Sequence, residues 1–302
     1  MRIHLLLSAA LLGVLPLCCE APDRDAREED LLRVFVSIVP EAYVVERIGG
    51  EHLSVGVLVQ PGQSPHTFEM TPRQVTALSR SRLFFAIGMP FERALIEKVR
   101  SEMPHLTVVR TDAGIERRPL VLDSGEPEGE SSERGDAGGA ELDPHIWMSP
   151  FLLGTMAKNI ADALVEADPA HAQDYLSNLE AFLVDVDSTD ARIREVLRPY
   201  RGRSFYVFHP AFGYFGDTYG LRQVGLEIEG KSPTPRQLDA VIESARDEDI
   251  RIIFVQPQFD RKAARSVADA LDAAVVPIDP LAKDVLRNLR EMAQKLDEAL
   301  DG

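Results

Sequence analysis

Cysteine is almost absent from this chain. Of 302 residues only Cys18 and Cys19 are cysteines, and both stand where an N-terminal apolar run ends. A bridge between chain neighbours would be strained and would close no loop. The rest of the chain therefore has neither a disulfide framework nor a thiolate metal site. Positive charge is also scarce, with 33 Lys and Arg against 49 Asp and Glu and a net charge of −16. Such a balance excludes nucleic acid and an anionic lipid surface as partners, and it suits attraction of cations. The apolar run itself, Leu5–Leu17, is too short to span a bilayer as a stable helix. Neither an HExxH helix nor a nucleophile elbow occurs, and no short-period repeat divides the chain.

The chain opens instead on an export signal. Arg2 followed by Leu5–Leu17 is a secretory pattern, so residues 1–19 read as a signal and the charged, polar residues 20–30 as a tether. Cys18 or Cys19 is placed for lipid modification after cleavage, which would anchor the mature chain to the outer face of a membrane. Both lack the usual small residue before the modified cysteine, and plain export to the periplasm is the alternative.

Beyond the tether, strand-like apolar runs alternate with helical periods, the pattern of parallel sheets covered by helices on both faces. LLRVFVSIVP, Leu53–Val59, Leu83–Ile87 and Leu106–Val109 read as strands, and Glu41–Ile48, Pro90–Ser101 and a stretch opened by Thr71-Pro72 as helices. Pro150–Ala167 is a further helix. Pro169–Leu197 is a longer one whose apolar positions keep helical spacing over on the order of 40 Å. The rhythm then resumes with strands Ser204–Phe208, Leu221–Ile228, Arg251–Val255 and Ala274–Ile278. Helices Pro210–Tyr219, Pro235–Asp247, Asp260–Leu271 and Asp284–Leu300 accompany them. The expected fold is α/β, with two Rossmann-like (β/α) lobes, 31–168 and 199–302, joined by a single long rigid helix, 169–198. Residues 118–143 interrupt the first lobe, with eight acids from Asp123 to Asp143 against the single Arg134. So few apolar groups cannot offset ordering entropy, so a mobile acidic loop is expected there, either a solvated insertion or a weak collector of cations.

Seven histidines divide by context. His4 lies in the signal, while His52, His105 and His171 read as surface or capping residues. His66, His145 and His209 each stand beside a proline that stiffens the backbone, in loops that leave strands or precede helices. Their shared context predicts one metal site, and imidazole nitrogen suits zinc and its borderline neighbours. Three neutral imidazoles leave the ion's charge uncompensated, which favours a nearby carboxylate. Asp279, following the last strand and held by Pro280, is the best candidate; its competing reading is a turn or cap residue. Ligands from both halves would place the ion in the inter-lobe cleft.

The motifs QPGQSPHTFEMTP, DPHIWMSP, FHPAFGYFGDTYGL, FVQPQFD and IDPLAKD carry a resemblance over essentially the whole chain from Leu31. The chain resembles the metal-binding (zinc/manganese) solute-binding proteins of ABC transporters, cluster A-I or cluster 9. That resemblance implies two α/β lobes on one long helix, with His66, His145, His209 and Asp279 as metal ligands. It also implies a monomer that delivers its ion to a membrane permease, and no enzymatic activity. In this family a histidine at the third ligand position accompanies zinc and a glutamate manganese, so His209 implies Zn2+ over Mn2+. The chain departs from the family pattern in three places. Its acidic loop holds no histidine, Pro65 stands where some members have a carboxylate, and Gln256 stands where many have glutamate. Asp279 or water must then complete the shell. Two rivals remain: a manganese or iron carrier of the same family, with or without adhesin activity, and a zinc hydrolase using three histidines and water.

Overall fold

The computed structural model describes residues 31–120, 142–226, 250–259 and 261–301, with 239, 242, 243 and 245–248. The signal, the tether, Cys18, Cys19 and most of the acidic loop fall outside these, as do the 230–234 turn and most of the expected helix 235–247. No described helix is long and apolar enough to cross a membrane.

Two four-stranded, all-parallel sheets organise the chain. The first holds β1 (Leu32–Val36), β2 (Leu53–Val57), β3 (Leu83–Ala86) and β4 (Thr107–Arg110) in the order β2-β1-β3-β4. Helices α1 (Val39–Gly49), α2 (Pro72–Leu78) and α3 (Glu92–Glu102) connect them. The second holds β5 (Ser204–Val207), β6 (Arg222–Gly225), β7 (Ile252–Val255) and β8 (Ala274–Pro277) in the order β6-β5-β7-β8. The two orders are the same, since each first strand sits between its second and third. Each sheet thus has a switch point where the connections diverge, and ligands of open parallel sheets collect beyond the carboxyl ends of such strands.

Local chemistry accounts for several element ends. Thr71 caps α2 through a reciprocal box with Gln74, and Pro72 occupies the first turn, where its missing N–H costs nothing. In α1 the helix starts at Val39, two residues before the expected start, because Pro40 is tolerated in a first turn. Between the sheets run α4 (Pro150–Ala167) and α5 (Ala172–Leu197). A short 3-10 turn, Pro169–His171, precedes α5, so the long helix begins three residues later than its periodicity suggests. Its 26 residues reach about 39 Å at ~1.5 Å per residue. Tyr175, Phe182, Val186, Ile193 and Leu197 form its buried stripe, packed in one core with Ile48 of α1 and with Leu289 and Leu296 of the closing helix, Val285–Leu300. One helix therefore braces both sheets. Leu176, apolar and at helical spacing, is 42% exposed, off this stripe.

The largest departure concerns the helix after His209. It was expected to open at Pro210, and α6 instead spans Gly213–Tyr219. The backbone before it is engaged elsewhere. Gln256 Oε1 accepts from His209 N–H at 3.0 Å, Gln256 Nε2 donates to His209 C=O at 2.6 Å, and Gln223 Oε1 accepts from Phe212 N–H at 2.6 Å. His209 C=O, the first acceptor that a helix opening at Pro210 would use, is taken by Gln256 and by Ala211 N–H at 2.8 Å, so the ladder starts later.

Candidate metal centre

Each of the three proline-flanked histidines is presented by a separate non-helical turn. His66 sits in the 3-10 turn Pro65–Thr67 between β2 and α2, where Ser64 Oγ accepts from His66 N–H at 3.3 Å. His145 precedes the turn Ile146–Met148 that leads into α4. His209 follows β5 at the switch point of the second sheet, its peptide held by Gln256 and its ring stacked on Phe259 at 4.9 Å. His145 and His209 are buried and His66 is exposed.

The three side chains converge through Nε2. His66 Nε2 lies 3.2 Å from His209 Nε2, which lies 3.4 Å from His145 Nε2. Among the described residues these form the one group of three or more metal-ligating side chains, their ligand atoms all within 4.8 Å of one another. Zinc–nitrogen bonds of about 2.0–2.1 Å in a tetrahedron give nitrogen–nitrogen edges of about 3.3–3.4 Å. The two edges that meet at His209, 3.2 and 3.4 Å, match, and all three ligand atoms lie within 4.8 Å of one another. A proton on His209 Nε2 could serve only one of its two neighbours, whereas one cation attracts all three lone pairs. The small cavity among them has a volume of ≈ 20 Å³ and is lined by the three histidines, Trp147, Gln258 and Phe259. That is room for about one ion or water. A wider cleft of ≈ 1060 Å³ beside Arg93, Arg110 and Arg117 contains none of the histidines.

Asp143, which the sequence reading passed over, supports His145. Its Oδ1 accepts from both His145 N–H at 2.9 Å and His145 Nδ1–H at 2.8 Å. With Nδ1 as donor, Nε2 carries the lone pair that a metal needs, the usual carboxylate–histidine arrangement around a bound ion. The two-residue spacing in Asp143-Pro144-His145 is the available sequence signal, an acid closing a turn on the backbone two residues ahead. Asp143 is in turn positioned by Tyr214, whose hydroxyl donates to Asp143 C=O at 2.9 Å. A Cβ at Gly213 would stand 2.9 Å from Asp143 Oδ2, so glycine there gives the carboxylate its place against α6. Trp147 Nε1 donates to Pro280 C=O at 2.7 Å, tying the His145 turn to the segment after β8.

Asp279 lies on that segment but outside the cluster of imidazole nitrogens. Its Oδ1 accepts from Leu281 N–H at 2.9 Å, closing a turn, and from Gln258 Nε2 at 2.8 Å. Gln256, read from sequence only as a missing charge, clamps the His209 peptide at both ends. The remaining described histidines have other partners. His52 meets Asp174 at 2.9 Å, His171 meets Asp168 at 2.7 Å, and His105 Nε2 meets Ser79 C=O at 2.6 Å. At the base of the acidic loop, Pro119 bridges Leu142 and Asp143 N–H donates to Arg118 C=O at 2.9 Å.

The carboxyl ends of β1 and β3, the switch point of the first sheet, are closed by two buried acids. Glu41 accepts from Ser37 N–H at 2.9 Å and Thr111 Oγ1–H at 2.8 Å, and Glu92 from Ile87 and Gly88 N–H at 3.1 and 2.6 Å. Burial pushes both carboxyls above the usual range, with Glu92 adding to the rise at Glu41.

Comparison with known proteins supplies an independent line. Residues 34–299 match the family described as zinc-uptake complex component A, periplasmic. A crystal structure of ZnuA, 34% identical, superposes with a TM-score of 0.79 over 89% of this chain and 99% of that one. The high-affinity zinc uptake system protein ZnuA of Yersinia pestis is 26% identical over 84% of this chain and 84% of its own length. The manganese-binding lipoprotein MntA of Halalkalibacterium halodurans is 27% identical over 83% of this chain and 80% of its own.

Proposed function

The chain belongs to the family of periplasmic zinc-uptake component A proteins, the metal-binding solute-binding proteins of ABC transporters, and from that premise we propose that it captures Zn2+ outside the cytoplasm and delivers it to a membrane permease. The observation that carries this reading is the convergence of His66, His145 and His209 within 4.8 Å, with both separations from His209 Nε2 close to the edge of a zinc tetrahedron. The three imidazoles hold the ion, Asp143 fixes the ring of His145, Gln256 holds the His209 backbone and Phe259 stacks on its ring. Asp279 and water contend for the fourth position. One chain supplies every group, so a monomer suffices. An acidic chain draws cations toward the mouth, where exposed His66 makes first contact.

Zinc is favoured over manganese because an all-nitrogen set without a hard carboxylate suits the softer ion. The similarity to a manganese-binding lipoprotein supports the alternative cargo, and an iron carrier follows the same logic. Neither an HExxH helix nor a nucleophile elbow accompanies the three histidines, which argues against hydrolysis. Anchoring through Cys18 or Cys19 is part of the proposal, and the mass of the mature N-terminus tests it. The main test is metal content and competition on the purified chain. Sub-micromolar zinc binding that outcompetes manganese is expected; preference for manganese or iron, or no tight binding, would overturn the assignment.

A further inference from the structure

Asp279 stands next to the imidazole cluster without entering it, and Gln258 stands between them. A carboxylate oxygen only accepts hydrogen bonds, so the contact at 2.8 Å orients the Gln258 amide with its NH2 toward Asp279. Asp279 Oδ1 is further held by Leu281 N–H. The other end of the amide, Gln258 Oε1, is buried and has no hydrogen-bond partner among the described residues, while Gln258 lines the same small cavity as the three histidines. A buried acceptor left unpaired calls for a ligand that donates.

We propose that Gln258 decides the fourth coordination position. Its Nε2 withholds Asp279 from the ion, and its Oε1 receives a hydrogen bond from a water bound there. The proposal rests on the three-histidine zinc site above. A metal-bound water is a strengthened donor and Oε1 only accepts, so the two are matched. The consequence is functional. A water in the fourth position leaves the ion's charge uncompensated and exchanges easily, as suits a cargo that must be released. A carboxylate there would close the shell and improve the standing of manganese.

The test uses the full chain with zinc, and with cobalt(II) as a spectroscopic stand-in. Gln258→Met keeps the volume and loses both polar ends, with Gln258→Ala in parallel in case one fails to fold. Freed Asp279 then takes the ion, so zinc should dissociate about tenfold more slowly and the cobalt ligand-field bands should shift. Asp279→Asn in the parent should weaken zinc far less than His209→Ala does, and in the Gln258→Met background it should abolish the gain. If Asp279→Asn alone is as damaging as His209→Ala, Asp279 is already a ligand and the role given to Gln258 is wrong. If His209→Ala itself leaves zinc affinity unchanged, the three-histidine reading fails and the proposal falls with it.

Discussion

Removing the carboxylate of Asp143 should weaken zinc binding although Asp143 belongs to no ligand set. Its single oxygen Oδ1 takes two donors, the His145 peptide N–H at 2.9 Å and Nδ1–H at 2.8 Å. Asp143 is 1% exposed, so no solvent is at hand to replace it. In Asp143→Ala the imidazole loses the group that sets its tautomer and rotation, and each stranded donor costs about 1–3 kcal/mol. Loss of such an outer partner typically lowers metal affinity about 10–100-fold. At about 1.4 kcal/mol per tenfold, that is roughly 1.4–2.8 kcal/mol of binding free energy. Competition against a chromophoric zinc chelator reads this directly, and circular dichroism checks that the fold persists. Asp143→Asn keeps an acceptor oxygen while losing the charge, so its affinity should fall between parent and alanine variant. An alanine variant that folds and binds zinc within about twofold of the parent would refute the reasoning.

Other substitutions probe the rest of the site and the sheet beside it. His209→Glu exchanges a borderline nitrogen for a hard oxygen and should move preference from zinc toward manganese; unchanged selectivity in paired titrations would count against the role of His209. Gln256→Glu keeps an acceptor for His209 N–H but sets a carboxylate oxygen against His209 C=O, where Nε2 now donates at 2.6 Å. It should cost about 1–3 kcal/mol of stability and loosen zinc, read by urea denaturation and competition. Burial, then the charge of Glu92, raises the Glu41 carboxyl above its ordinary value of 4.5. The folded state thus favours protonated Glu41, and its contribution to stability is full below about pH 4.5 and is lost as pH rises through the raised value. Glu41→Gln should flatten that decline in urea midpoints between acid and neutral pH, and parallel pH profiles for parent and variant would contradict it.

Much of the architecture was readable because it rests on period and on local capping. The bounds of Pro150–Ala167, the stripe along the long helix and the Thr71-Pro72 start follow from residues close in sequence. The alternation of strand and helix likewise led to two parallel sheets. Helical spacing alone does not say how wide the buried stripe is: Leu176 keeps that spacing and is exposed, because the neighbours of α5 cover only part of it.

Residue chemistry in the chain by itself singled out three histidines as candidates for one cluster. Each proline-flanked turn is a local property, and the structure brings His66, His145 and His209 within 4.8 Å. Tertiary structure decided what those turns do together. It aligned three Nε2 atoms from turns as far as 143 residues apart, and it brought Gln256 across 47 residues to hold the His209 peptide and delay α6. It also turned the Asp279 carboxylate toward Gln258 and Leu281. The physical reason is the same in each case. A hydrogen-bonding group has few directions to satisfy, and partners distant in sequence compete for them only once the sheets have packed.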